Sequence, residues 1–200
     1  MALNFCNNNS LSAITSIPAA ISGGALNLIS TQTASGSTSI EFTSGIDSTY
    51  KEYIFKFYSI HPATDDEDLR VLFSDDGGSS YGLTKTSTYV RSSHTEGGAG
   101  TEIAYLASKD LAQSTSAQPL AQGIGADADQ TCSGTMHLFE PSSTVFVKQF
   151  FATFNTYEGS NVSIRQICSG YVNTTSAVNA VKFDGLRGAF DGVIKLYGVS

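Results

Sequence analysis

The chain has 200 residues, of which 18 are Asp or Glu and 11 are Lys or Arg, giving a formal net charge of −7. Phosphate backbones are held mainly by Lys and Arg, and no basic stripe with interleaved aromatics occurs here, so nucleic acid is excluded as a partner. The length suits one large domain, or one domain with a short arm, and a core of that size needs neither a disulfide nor a metal for stability.

Charged residues make up 14% of the chain, against roughly 25% in an ordinary soluble domain. Gly, Ser, Thr and Asn take their place, as in all-β proteins with many turns. Residues 1–35 are low in charge, with Pro18 and Gly23-Gly24 as breaks. Within them "ALNLISTQTA" fits one strand with Leu26, Leu28 and Ser30 on one face. The segment reads as an arm or edge element that needs a neighbour to become ordered. Its first residues lack the basic start and apolar run of a signal peptide. No stretch approaches the ~18 apolar residues of a membrane-crossing helix, so membrane insertion is not expected.

Residues 36–200 read as a β-sandwich domain. "TSIEFTS" places Ile40 and Phe42 on one face, and "YKEYIFKFYSI" alternates Tyr53, Phe55 and Phe57 against Ile54, Lys56 and Tyr58. "DLRVLFS" sets Leu69, Val71 and Phe73 on one side. "STYVRSS" is shorter and more polar, and "GTEIAYLAS" fits a strand or a helical turn. The span Asp110–Asp129 has no clear period and is too long for an ordinary connection. The two-residue period returns in "TCSGTMHLFEP", "STVFVKQFFATFNTY", "NVSIRQICSGYV", "SAVNAVKFDG" and "GAFDGVIKLYGVS". Pro and Gly clusters punctuate these runs, the pattern of a sandwich or barrel and not of βαβ units. The apolar last strand is expected to be paired inside a sheet, because exposed it would invite aggregation.

The acids concentrate in Asp65-Asp66-Glu67-Asp68 and Asp75-Asp76. The second pair precedes Gly77-Gly78 directly after a strand, where a hairpin turn is expected. Adjacent acids do not have the alternate spacing of an EF-hand loop, and no spacing selects a glycosidase-like pair. His61, His94 and His137 lack the H-x-x-x-H and H-x-H spacings of metal sites and read as surface or packed residues. Cys6, Cys132 and Cys168 are irregularly spaced; a Cys132–Cys168 bridge and buried thiols are both compatible with them. Asn161 and Asn173 match the short glycosylation pattern. No catalytic residue, cofactor or metal ligand is assigned.

Three segments together carry a resemblance: "GIDSTYKEYIFKFYSIHPATDDEDLRVLFSDDGGSSY", "SGTMHLFEPSSTVFVKQFFATF" and "TTSAVNAVKFDG" with the closing "FDGVIKLYGVS". They look like a group of tailed-bacteriophage virion proteins common in marine phages, which include tail-fibre-like and receptor-binding-like modules. The likeness covers about Ser37–Ser200. The turn before the last strand, "LRGAFDGVIKLYG", lacks the Ser and Asn of that group's usual form. The resemblance implies a jelly-roll-like antiparallel sandwich without catalytic machinery, located in the virion as a fibre, tip or neck appendage. Its expected partners are other virion proteins (capsid, neck or tail), with a homotrimer favoured for a fibre or tip. The alternatives are a capsid decoration protein and a module that binds host-surface glycans. For the last, Tyr81, Tyr89 and Tyr157 are the candidate stacking residues, if they are exposed on loops and not packed in the core or its rim.

Overall fold

The computed structural model describes residues 25–185 and 187–200, all in strands, turns and loops. The strands are β1 (Leu26–Ser37), β2 (Ser39–Phe42), β3 (Glu52–Pro62), β4 (Glu67–Ser74), β5 (Lys85–Thr95), β6 (Thr101–Tyr105), β7 (Gln118–Ile124), β8 (Cys132–Phe139), β9 (Lys148–Glu158), β10 (Val162–Val172), β11 (Ala180–Gly185) and β12 (Phe190–Val199). Every pairing is antiparallel. One layer runs β1-β12-β3-β8-β9-β10-β5-β6 and the other runs β2-β11-β4-β7. The layers meet in a single ladder pair, Ile124 with Glu158. The protein is an all-β sandwich, as its two-residue periodicity predicts.

Eight strands pair in nested fashion: β1 with β12, β2 with β11, β3 with β8 and β4 with β7. Successive pairs lie in alternate layers. Two further pairs extend the larger layer on one side. β9–β10 is a hairpin inserted between β8 and β11, and β5–β6 is inserted between β4 and β7; β5 and β10 then join them.

The strand phases follow the alternation of the sequence. Phe55 and Phe57 of β3 meet Phe183 of β11 at ring-centroid distances of 5.1 and 4.9 Å, and Phe73 of β4 meets Phe150 of β9 at 5.3 Å. Met136, Leu138, Ala152, Phe154, Ile194 and Leu196 complete the layer between the sheets. Each fully buried apolar side chain contributes about 1.5–3 kcal/mol relative to exposure.

Several expectations are corrected. The boundary at residue 35 falls inside β1, which pairs with β12 from Leu26↔Val199 to Ser37↔Phe190; residues 1–24 of the expected arm lie outside the described residues. Leu26 and Leu28 are exposed, and a bulge between Leu28 and Ser30 turns Ile29 toward the core instead. The Asp110–Asp129 span contains β7. Its sequence "QPLAQGI" hides the strand because Pro119 and Gly123 are tolerated at a sheet edge, where β7 lies. The Asp75–Gly78 turn is real, with Gly77 and Gly78 at positive φ, but it does not close a hairpin. β4 and β5 belong to different layers, and the turn starts the crossing between them. Of the two readings of the cysteines, buried thiols hold: Cys132 and Cys168 are free and buried, on β8 and β10. With β9 between them, two strand spacings of ~4.8 Å each exceed the reach of a disulfide.

Candidate functional site

The acid-rich segment is consumed by its own chain. Both oxygens of Glu67, a buried side chain, accept from the Arg187 backbone N–H at 2.9 and 2.8 Å. Asp68 pairs with Lys109 at 2.5 Å and accepts from the Gly123 N–H. Asp65 accepts from the Ala126 N–H. Asp76 accepts from the Ser74 hydroxyl and from both the N–H and hydroxyl of Ser80; these bonds hold its carboxyl down at about 2. Among the described residues no three His, Cys, Asp or Glu side chains converge as a metal site would require. His61 bonds the Gln130 carbonyl, and His137 bonds Glu52 while stacking on Phe151 at 4.4 Å.

The three tyrosines do not converge. Tyr89 is a correction: it lies on β5 facing inward, fully buried, with its hydroxyl bonded to Gln166, so it offers no face to a ligand. Tyr81 stands beside the smaller layer. Its hydroxyl donates to Glu41 and Lys182 covers its ring at 5.5 Å; burial, followed by the Glu41 charge, pushes the phenol up to about 12. Tyr157 alone lines an open cleft, of about 380 Å³, on the outer face of the larger layer.

The β9–β10 hairpin builds this cleft. Its loop Gly159-Ser160-Asn161 closes with the Asn161 N–H donating to the Glu158 carbonyl at 3.0 Å, and Asn161 adopts φ +60°. That is the geometry of a three-residue hairpin loop ending in a left-handed residue. The antiparallel register then sets Tyr157 opposite Ser163 and Asn155 opposite Arg165. On the other side of β10, β5 sets His94 opposite Ser163 and Ser92 opposite Arg165. The Glu96 N–H donates to the Asn161 carbonyl at 2.9 Å, tying the β5–β6 loop to the hairpin tip.

Tyr157 is positioned by its hydroxyl, which donates to Glu96 at 3.1 Å and lies 3.0 Å from the Asn161 side chain. Desolvation, followed by the Glu96 bond, raises its phenol above the ordinary range. Asn155 accepts from the Ser163 hydroxyl at 3.3 Å. A smaller recess of about 190 Å³, lined by Ser92, Ser93, His94, Asn155, Ser163 and Arg165, continues the cleft past His94. The whole surface offers one aromatic face among amide, hydroxyl, imidazole, carboxylate and guanidinium groups. It can hold a polyhydroxylated ligand by stacking and hydrogen bonding.

Of these residues, the sequence singles out Tyr157 and assigns His94 no function. Asn155, Ser163 and Arg165 were legible only through register: "FNTYEGSNVSIRQ" alternates about a tight turn, which places its polar residues opposite one another. No family model, curated protein or solved structure matches the chain.

Proposed function

We propose that this protein is a non-enzymatic module exposed on the particle of a tailed bacteriophage, as a tail-fibre, tip or neck appendage, and that it holds a host-surface saccharide in the Tyr157 cleft. The observation that carries the binding role is the cleft itself: one half-buried tyrosine, fixed by Glu96 and Asn161, faces an open floor of Asn, Ser and His side chains. Sugars are recognised by such a mixture of an aromatic face and directional polar groups. The virion assignment rests on the sequence resemblance. It is supported by the nested strand pairs, which we read as a jelly-roll winding, a fold frequent in capsid and lectin domains. Other virion proteins would be the partners, and a homotrimer is the assembly that a fibre or tip favours.

The test is retention on immobilised host-surface polysaccharide by the full chain and by Tyr157→Ala. Tyr157 is on the outer face, so the variant should keep its unfolding midpoint while losing at least tenfold in affinity. Equal retention by the folded variant removes the cleft from the function.

A further inference from the structure

We infer that the saccharide taken by this cleft is acidic, and that Arg165 is the counter-charge for its carboxylate; the inference rests on the saccharide-binding reading above. The observation is a census of the cations. All 11 Lys and Arg residues of the chain lie within the described residues. Lys51, Lys109, Lys182, Arg70, Arg91 and Arg187 each face a carboxylate within 4 Å. Lys85 and Lys148 are buried and donate to backbone carbonyls. Lys56 and Lys195 lie over the rings of Tyr197 and Tyr58 at 5.4 and 5.6 Å. Arg165 alone has no ion pair, ring or hydrogen-bonded partner for its side chain among the described residues.

That uncommitted guanidinium lines the small recess at the far end of the cleft from Tyr157. The side chains around it, Ser92, Ser93, His94, Asn155 and Ser163, include no carboxylate. The acids of the region are at the other end: Glu96 bonds Tyr157, and Asp127 and Asp129 act on the same phenol. The cleft is therefore polarised, hydroxyl acceptors beside the ring and a cation beyond it. In a chain of net charge −7, a free arginine on an outer face attracts an anion locally against the overall field. Its planar fork matches a carboxylate through two parallel N–H···O bonds, a geometry that a lysine does not supply. A uronic or sialic acid unit at Arg165 with a neighbouring sugar ring on Tyr157 satisfies both ends.

The experiment is calorimetric titration of the full chain with uronic acid oligosaccharides and sialyllactose, their neutral counterparts, and sulfated counterparts. Wild type, Arg165→Gln, Arg165→Lys and Tyr157→Ala are compared. The expected result is acid-selective binding by the wild type, weakened at least tenfold by Arg165→Gln, partly restored by Arg165→Lys, and reduced by higher salt. Arg165→Gln should abolish the preference for acidic over neutral sugars, which a merely structural role for Arg165 would not predict. Neutral sugars bound as tightly as acidic ones, with loss only in Tyr157→Ala, would overturn the acidic assignment and keep the saccharide reading. Preference for sulfated sugars alone would overturn the carboxylate assignment, and no binding of any probe would overturn both readings.

Discussion

The side-chain amide of Gln166 pairs reciprocally with the backbone of Gln122, accepting from its N–H at 2.6 Å and donating to its carbonyl at 3.0 Å. Gln166 lies on β10 of the larger layer and Gln122 on β7 of the smaller one, so a side chain supplies a rung between layers where the ladder provides only Ile124↔Glu158. The same amide bonds Thr156 and the Tyr89 hydroxyl.

Replacing Gln166 with Leu should therefore be severe. It preserves size while leaving the Gln122 N–H and carbonyl buried without partners and the Tyr89 hydroxyl with only its long bond to the Leu120 carbonyl. Each such group costs about 1–3 kcal/mol, and partial rearrangement makes roughly 2–4 kcal/mol the expected loss. Urea unfolding should give a lower midpoint with an unchanged slope; an unshifted midpoint would refute the rung.

The Asp76 turn should be acid-sensitive. Its carboxyl sits at about 2 in the fold against an ordinary value of 3.8. A depressed folded value means the stabilisation is complete above about pH 4 and disappears as the pH falls through about 2. The Asp76 carboxyl resonance should titrate near 2 by NMR, and Asp76→Ala should flatten the wild-type loss of stability over that window. A titration near 4 would contradict the hydrogen-bond geometry.

Lys85 has the opposite sign. Burial lowers its ammonium to about 8 from 10.5, with the Leu83 and Thr115 carbonyls as its only hydrogen-bond partners among the described residues. Between those values the unfolded chain retains a proton that the folded chain has released, so stability rises with pH. The stability of the wild type relative to Lys85→Met should climb by on the order of 2 kcal/mol from pH 8 to pH 10.5. A flat difference would mean that the ammonium is solvated.

Cys132 and Cys168 should be chemically silent in the native state. Burial drives both thiols upward, that of Cys168 to about 12, and the thiolate is the reactive form. Iodoacetamide at pH 8 should label neither residue until urea is added, as read by peptide mapping. Native labelling of either would place it at the surface.

Truncation should show that β1, which crosses the expected boundary at residue 35, belongs to the sandwich. Removing residues 1–37 deletes β1 and bares the edge of β12 along its whole length. Compared with removal of residues 1–24, it should lower Tm by several degrees and promote aggregation. Light scattering on the shorter truncation tests the trimer at the same time: a mass of three chains supports a self-assembling tip, and a mass of one opposes it.

The strands of the core were legible because their residues carry their own face assignment. Tyr53, Phe55 and Phe57, or Leu69, Val71 and Phe73, alternate so strongly that only one phase can be buried. The Asp75–Gly78 turn was legible for a similar local reason, but the burial of Glu67 and Asp68 was not, because their partners Arg187 and Lys109 are distant in sequence. β7 was not legible either, since its polar residue Gln118 is buried with its side chain held by Ser87 and the Lys109 carbonyl, and the backbone at Gln122 is held by Gln166 across the sandwich. Tyr89 and Tyr157 look alike as tyrosines in polar strands, yet one points between the layers and the other outward. Alternation and composition thus determined the class of fold and most of its core, because burial is written into a two-residue period. That Asn155, Tyr157 and Arg165 share a face follows from the local β9–β10 hairpin; that His94 and Ser92 join them was decided by the long-range register of β5 on β10, which no local pattern encodes.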